Sequence, residues 1–173
     1  MKKCGVDVFW KKNKIIINQG VYSKPFVNLE SDWTSVAYLY QLVALSNKTN
    51  IKISSFVYPS IQKDSDLVLF FNFLGVKTSF IGDSINLKKI ENQKLPYYLE
   101  WDVLNTPDLM PSYMVSCFSL GIDLKLTGID SLKYKESNRI QTIKIGLEKF
   151  NAKIKLTNNT LILDSSNPIF REQ

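Results

Sequence analysis

One order of elements is written twice along this chain, and that repetition limits the fold more than any other feature of the sequence. A helix is predicted over Asp32–Leu45, with Ser31 or Asp32 as its cap. A strand follows over Asn50–Tyr58, then a second helix from about Asp64 that ends at Gly75. Two short strands, Val76–Ile81 and Ser84–Lys89, pair as a hairpin around Gly82-Asp83. The same order then returns. A strand in LPYYLEWDV precedes a helix that opens at Pro107-Asp108 and stops at Gly121. A strand over Ile122–Gly128, a helix over Glu136–Phe150, and a hairpin of Ala152–Thr157 with Thr160–Asp164 complete the second copy. Equivalent elements lie about 71 to 75 residues apart. Each unit therefore reads strand-helix-strand-helix-strand-strand, a βαβαββ pattern. The fold class is α/β (α+β), with layers in which the strands cannot all be parallel. In the last helix Ile140, Ile143, Leu147 and Phe150 share one face, which is expected to pack on the sheet. Residues Met1 to Lys24 read as the tail of an earlier unit, a helix end followed by a hairpin, and both ends read as cut from something larger.

The chemistry open to this chain is narrowed by what it lacks. Among its 173 residues there is no histidine, which removes Ser-His-Asp and Cys-His catalysis and histidine metal sites together. Acid–base work must come from Asp, Glu, Lys or Tyr. Cys4 and Cys117 are too far apart for a metal motif and fit no disulfide framework, so a reducing, cytoplasmic setting is expected, with Cys117 as a buried thiol. No apolar run reaches 18 residues and the N-terminus has no signal-peptide core, so no membrane partner is expected. The formal charge of +6 suits a phosphate- or carboxylate-bearing partner. A lysine bias spread over a solvated surface is the simpler source of it, because the lysines are scattered, and no basic arm with interleaved aromatics points to nucleic acid.

Two segments stand out. In Asn105-Thr106-Pro107-Asp108, Pro107 fixes the chain ahead of a helix and Asp108 takes the cap position. Asp108 is read either as a plain N-cap or as a carboxylate aimed at a ligand hydroxyl. In Lys133-Tyr134-Lys135-Glu136-Ser137-Asn138-Arg139, two cations and a carboxylate gather within one turn of a helix start. Such an end offers free N–H groups to an anion. Cations there oppose the helix dipole by ~0.3–1 kcal/mol, a cost that suggests a purpose. The other reading is a solvated first turn with a Glu136–Arg139 pair.

These segments resemble the two signature stretches of the 5-enolpyruvylshikimate-3-phosphate synthase (3-phosphoshikimate 1-carboxyvinyltransferase) family. Its second stretch reads roughly R-x-K-E-S/T-D-R; here Lys133 replaces the first Arg and Asn138 the Asp. Glu30-Ser31-Asp32-Trp33-Thr34-Ser35-Val36-Ala37-Tyr38 is similar to the family's E-G-D-A-S-S-A-S-Y helix start. The resemblance covers roughly residues 1 to 164. It implies the enolpyruvyl transferase inverse α/β fold in truncated form, since the family has two domains of three such units each. Residues 1–28 would then be the tail end of the N-terminal domain. Residues 29–91 and 92–164 would be the first and second units of the C-terminal domain, and 165–173 the truncated start of a third.

The resemblance further implies transfer of enolpyruvyl from phosphoenolpyruvate to shikimate 3-phosphate with release of phosphate, in the shikimate pathway, without cofactor or metal. Residue by residue, Asp108 would take the hydroxyl proton and contact shikimate 3-phosphate. Glu136 would be the proton donor, Lys135 would bind shikimate 3-phosphate and Arg139 the phosphoenolpyruvate. Ser131 stands where the family often has Asn. The family's N-terminal K-S loop, its D-H-R motif and its later Lys are not in this sequence. The chain is accordingly expected to be inactive alone, with the remainder of the same enzyme as its partner and a monomer as the full enzyme. Two alternatives are a fragment of the related UDP-N-acetylglucosamine 1-carboxyvinyltransferase, disfavoured by Lys135-Glu136 and Arg139, and a non-catalytic α/β anion-binding module.

Overall fold

The computed structural model describes residues 1–23 and 29–165. The chain divides into a short piece, Met1–Glu30, and a main body, Ser31–Gln173. In the short piece a 3-10 turn at Lys2–Cys4 ends on Gly5, whose φ of 94° is open to glycine. Strands β1 (Val8–Lys11) and β2 (Lys14–Ile17) follow as an antiparallel hairpin, Val8 facing Ile17. Its large apolar side chains, Trp10 among them, are exposed.

The main body begins with helix α1 (Trp33–Leu45). Asp32 is its cap, accepting from the backbone N–H of Thr34 at 3.1 Å and of Ser35 at 3.2 Å. Strand β3 (Asn50–Ser54) stops earlier than expected, because Ser55 turns the chain with φ 65°. The expected helix from Asp64 splits into a 3-10 turn, Lys63–Asp66, and helix α2 (Leu67–Phe73). Strands β4 (Val76–Ile81) and β5 (Ser84–Lys89) close this repeat as the predicted hairpin. The three strands form an antiparallel sheet in the order β3-β5-β4. No strand occupies residues 29–32, so the described part of this repeat has three strands where the element order called for four; residues 24–28 lie outside the described residues. Ser31 nonetheless donates its backbone N–H to Ser55 O at 2.7 Å, at the edge where that strand would lie.

The second repeat is complete. Strand β6 (Tyr98–Asp102) leads to a 3-10 turn at Pro107–Leu109 and helix α3 (Met110–Leu120), ended by left-handed Gly121. Strand β7 (Asp123–Thr127), a 3-10 turn at Asp130–Tyr134, helix α4 (Arg139–Glu148), and strands β8 (Lys153–Thr157) and β9 (Thr160–Asp164) follow. The sheet order is β6-β7-β9-β8, with β6 and β7 parallel and the rest antiparallel. Val103 N–H donates to Thr127 O at 3.0 Å, the counterpart of the Ser31–Ser55 bond. Gly128 makes the matching left-handed turn; a Cβ there would stand 2.4 Å from Asp102 Oδ1, so only glycine fits. The proposed start of a third unit falls on residues 166–173, outside the described residues, apart from Ser165.

Helices of both repeats share one core. Trp33, Tyr40, Phe70 and Phe71 of the first repeat and Tyr113 and Phe118 of the second are fully buried. The Tyr113 ring stacks on Phe70 with centroids 3.8 Å apart. Inward residues Ile85 and Leu87 of β5 and Leu161 and Leu163 of β9 back this layer. The expected inner face of α4 is only partly inside. Ile140 and Leu147 are buried, Ile143 is half-buried, and Phe150 lies past the helix end with 49% exposure. Among the described residues no helix is long and apolar enough to cross a membrane.

Candidate functional site

The turns that lead into helices come together at one end of the repeats. Asp108 lies inside the 3-10 turn before α3 and caps nothing; Thr106 holds the cap position of that turn. The cap expectation for Asp108 is therefore corrected. Its Oδ1 accepts from Arg139 Nη1 at 2.6 Å and faces Lys135 Nζ at 3.1 Å. Arg139 Nη2 in turn meets Glu136 Oε2 at 3.3 Å. The four residues singled out from the sequence thus form one chain of ion pairs spanning two loops.

A second correction concerns the start of α4. Asn138, not a residue near Glu136, caps it by accepting from Gln141 N–H at 3.1 Å. Only Arg139 is inside the helix. Lys135 stands in extended backbone after the 3-10 turn, and Glu136 and Ser137 bridge to the cap. The lysine therefore escapes the unfavourable dipole that a place in the first helical turn would impose. Ser131 is exposed, inside the Asp130–Tyr134 turn.

The first repeat adds residues that spacing alone did not assign to the site. Thr34 donates its hydroxyl to Asp64 Oδ2, and Ser35 donates its hydroxyl to Asp32 Oδ2. Asp32, Thr34 and Ser35 line a pocket of about 620 Å³ together with Asp108, Ser137 and Arg139. Asp64 could have been suspected only as an acid at a helix start; its bond to Thr34 joins residues 30 positions apart.

Electrostatics sort these carboxylates into two kinds. The Ser35 hydroxyl bond holds Asp32 below its ordinary range. Glu136 is held low by its own backbone N–H and by Arg139. Burial pushes Asp64 up, and the nearby charges of Asp108 and Asp32 add to that. Asp108 pairs with both Lys135 and Arg139, so these cations are neutralised by the protein's own oxygens. An incoming phosphate or carboxylate would compete with Asp108 for both, using charge-assisted bonds of the stronger kind. Release of Asp108 from those cations would leave a carboxylate able to accept a proton from a ligand hydroxyl. Among the described residues no group of three His, Cys, Asp or Glu is arranged to hold a metal.

The family model described as EPSP synthase (3-phosphoshikimate 1-carboxyvinyltransferase) matches residues 1–171. A 3-phosphoshikimate 1-carboxyvinyltransferase from Bacteroides fragilis (strain YCH46) is 35% identical over 151 residues, covering 86% of this chain and 36% of the relative. The enzyme of the same name from Methanocorpusculum labreanum is 27% identical over 164 residues, 94% of this chain and 37% of that one. This chain thus spans little more than a third of the length of these relatives. Among solved structures, EPSP synthase from Acinetobacter baumannii superposes with a TM-score of 0.60 at 16% identity, covering 96% of this chain and 39% of that one. The enolpyruvyl transferase NikO from Streptomyces tendae gives 0.60 at 13% identity, with 95% and 38% covered. At that identity the structures support the fold, the truncated enolpyruvyl transferase architecture that the resemblance implied.

Proposed function

From the premise that this chain belongs to the EPSP synthase family, we propose that it forms one wall of a 3-phosphoshikimate 1-carboxyvinyltransferase site. The observation that supports this reading is the cluster of Asp108, Lys135 and Arg139, in which two cations at the start of α4 meet a carboxylate from the turn before α3. The reaction joins the 5-hydroxyl oxygen of shikimate 3-phosphate to C2 of phosphoenolpyruvate. The hydroxyl loses its proton to a base, and the vinyl methylene gains one from an acid. Loss of phosphate from C2 and of a proton from the new methyl then restores the double bond.

Asp108 is the base and touches the sugar hydroxyl. Lys135 holds shikimate 3-phosphate, and Arg139 the phosphoenolpyruvate. Glu136 is the acid for the methylene carbon. In the free chain its carboxyl is held ionised partly by Arg139. Asp32 lines the pocket from the first repeat, and Asp64 accepts from Thr34 beside it.

These residues alone are expected to bind anionic ligand weakly and not to turn it over. Losing one charge-assisted contact to a developing anion typically costs about 2.7–4 kcal/mol, ~10²–10³ in rate, and a one-walled site lacks closure against water as well. The test is phosphate release with both substrates, for this chain alone and mixed with a separately expressed remainder of a family enzyme. Turnover only in the mixture, abolished by Asp108→Ala, supports the reading. Turnover by the chain alone near ~1–10³ per second would contradict the one-wall argument. No turnover in any mixture, with anion binding retained, would leave an anion-binding module.

A further inference from the structure

One acid beside the pocket takes no part in the chemistry described so far. Asp64 lies half-buried in the 3-10 turn before α2. Helices α1 and α3 end at Leu45 and Leu120, an offset of 75, and from α2 and α4 onward the offset is 76, as β5 and β9 begin at Ser84 and Thr160. By that count the turn Lys63–Asp66 corresponds to the first turn of α4, where Arg139 stands. The first repeat thus brings an acid to the junction where the second brings a cation. The groups that face Asp64 come from each lead-in: Asp32 at the start of α1, Asp108 before α3 and Lys135 before α4. The Tyr113 hydroxyl of α3 stands in the field of Asp64, and the turn itself adds Lys63 and Asp66. Tyr113 is fully buried, so charge on that side is weakly screened.

The acids differ in what holds their oxygens. Asp32 accepts from two backbone N–H groups and from the Ser35 hydroxyl. Asp108 pairs with Lys135 and Arg139, and Glu136 with Arg139. Asp64 is held by the Thr34 hydroxyl, and among the described residues no cation pairs with it. A hydroxyl can donate to a carboxylate or accept from a carboxylic acid. Asp64 can therefore gain a proton without undoing a helix cap or an ion pair.

A dianion seated on Lys135 and Arg139 would add negative charge to a cluster that already holds Asp32, Asp64 and Asp108. Like charges at short range disfavour one another's ionised forms. We propose that Asp64 takes up a proton from solvent when a dianion binds at Lys135 and Arg139, the Thr34 hydroxyl turning from donor to acceptor, and returns it on release. This rests on the anion site of the reading above and not on the reaction assigned to it. Asp64 touches neither ligand nor reacting atoms. It is a positioning residue: neutralised, it lets Asp108 stay ionised beside a bound anion. Burial already holds Asp64 above the ordinary carboxylate range. In a chain without histidine, no side chain of ordinary pKa titrates between that range and neutrality.

Sulfate is the probe, because it stays a dianion across the acid range. Its Kd for the full chain is read from amide NMR shifts at a series of pH values. Wild-type affinity should fall as pH rises through the Asp64 window. Proton and anion strengthen each other by one factor, ~5-fold or more, as is usual for linked sites. Asp64→Asn should abolish this step and bind sulfate ~5-fold or more tighter than wild type above the window. Asp108→Asn should keep a step, moved to lower pH because one like charge near Asp64 is gone. Thr34→Val removes a hydroxyl that favours the ionised form, so its step should move to higher pH, whereas Thr34→Ser should behave as wild type. Thermal melts by circular dichroism establish that each variant is folded, and Asp64→Ser replaces Asp64→Asn if it is not. A step that persists in Asp64→Asn, a step that vanishes in Asp108→Asn alone, or no sulfate binding at any pH overturns the proposal. Proton-linked sulfate binding without turnover in the reconstituted mixture would reject the synthase reading and keep this proposal. Turnover with no step in sulfate binding would do the reverse.

Discussion

The two repeats use the same junction for different ends. In the first, the segment leading into α2 is tied to the start of α1 by an uncharged side chain. Gln62 Oε1 accepts from Trp33 N–H at 3.0 Å, and its Nε2 donates to Ser31 O at 2.9 Å. In the second, the start of α4 is tied to the lead-in of α3 by the Arg139–Asp108 ion pair. At the offset of 75, fully buried Trp33 corresponds to Asp108, whose side chain is 37% exposed. Both ties hold a strand-to-helix turn against its neighbour. The amide tie satisfies two backbone groups at the start of α1. The ionic tie can be exchanged for a ligand anion, because each partner is charged and reachable from solvent. On the proposed reading, one scaffold supplies a rigid copy and a copy open to ligand exchange.

The largest expected effect breaks the packing half of this comparison. Phe70→Ala should cost ~3–5 kcal/mol, the usual range for emptying a well-packed aromatic site. Gly146→Ala, at the equivalent position of the second repeat, should instead stabilise by ~0.4–1 kcal/mol, since the helix gains an alanine and nothing is displaced. Denaturant unfolding of both variants checks the pair; a loss of stability at Gly146→Ala would mean that the space beside Gly146 is not open. Next in size, Gln62→Ala should cost about 1–3 kcal/mol, because Trp33 N–H and Ser31 O lose their partner. Asp108→Asn should cost no more than about 1 kcal/mol, the range of partly exposed ion pairs, while changing ligand binding. Equal losses at the two positions would erase the distinction between a structural and an exchangeable tie.

The smallest effect is on pH dependence. Burial holds the Asp64 carboxyl above its ordinary range, so the folded chain binds that proton more tightly than the unfolded chain. Ionising Asp64 therefore weighs against folding as pH rises from the ordinary carboxylate value through the raised one. Asp64→Asn removes this. The variant should match wild type below that window and exceed it above. Melting temperatures measured across the acid range check the sign, and a variant less stable above the window would show that the carboxylate is favoured when charged.

Much of this architecture was readable from the sequence, and the failures have local causes. The bounds of α1 and both hairpins follow from apolar spacing and from Gly75, Gly82 and Gly121 at turns that need left-handed backbone. Helix beginnings were less legible. Asp32 caps α1, yet Asp108 caps nothing, because its Oδ1 is engaged by Arg139 and Lys135, residues far along the chain. Likewise α4 starts at Arg139 since Asn138 can accept from Gln141 N–H, a choice that competing polar residues leave open until the loop is placed. Periodicity put Phe150 on the inner face of α4, but the helix ends before it and the groove it borders has no counterpart of α3 among the described residues. The Thr34–Asp64 bond had no signature at all, because only tertiary contact brings those residues together.

The claim on which the rest depends is that the ionic tie of the second repeat is an anion site, and calorimetric titration with shikimate 3-phosphate tests it most directly. Wild type should bind saturably and weakly, with a Kd near ~1 mM, equivalent to about −4 kcal/mol. Lys135→Ala should weaken that binding by ~10-fold or more, the worth of one charge-assisted hydrogen bond, and Arg139→Ala should do the same to phosphoenolpyruvate binding. Gln62→Ala, at the matching tie of the first repeat, should leave it unchanged. Absence of saturable binding, or shikimate 3-phosphate binding that survives Lys135→Ala, would contradict the account.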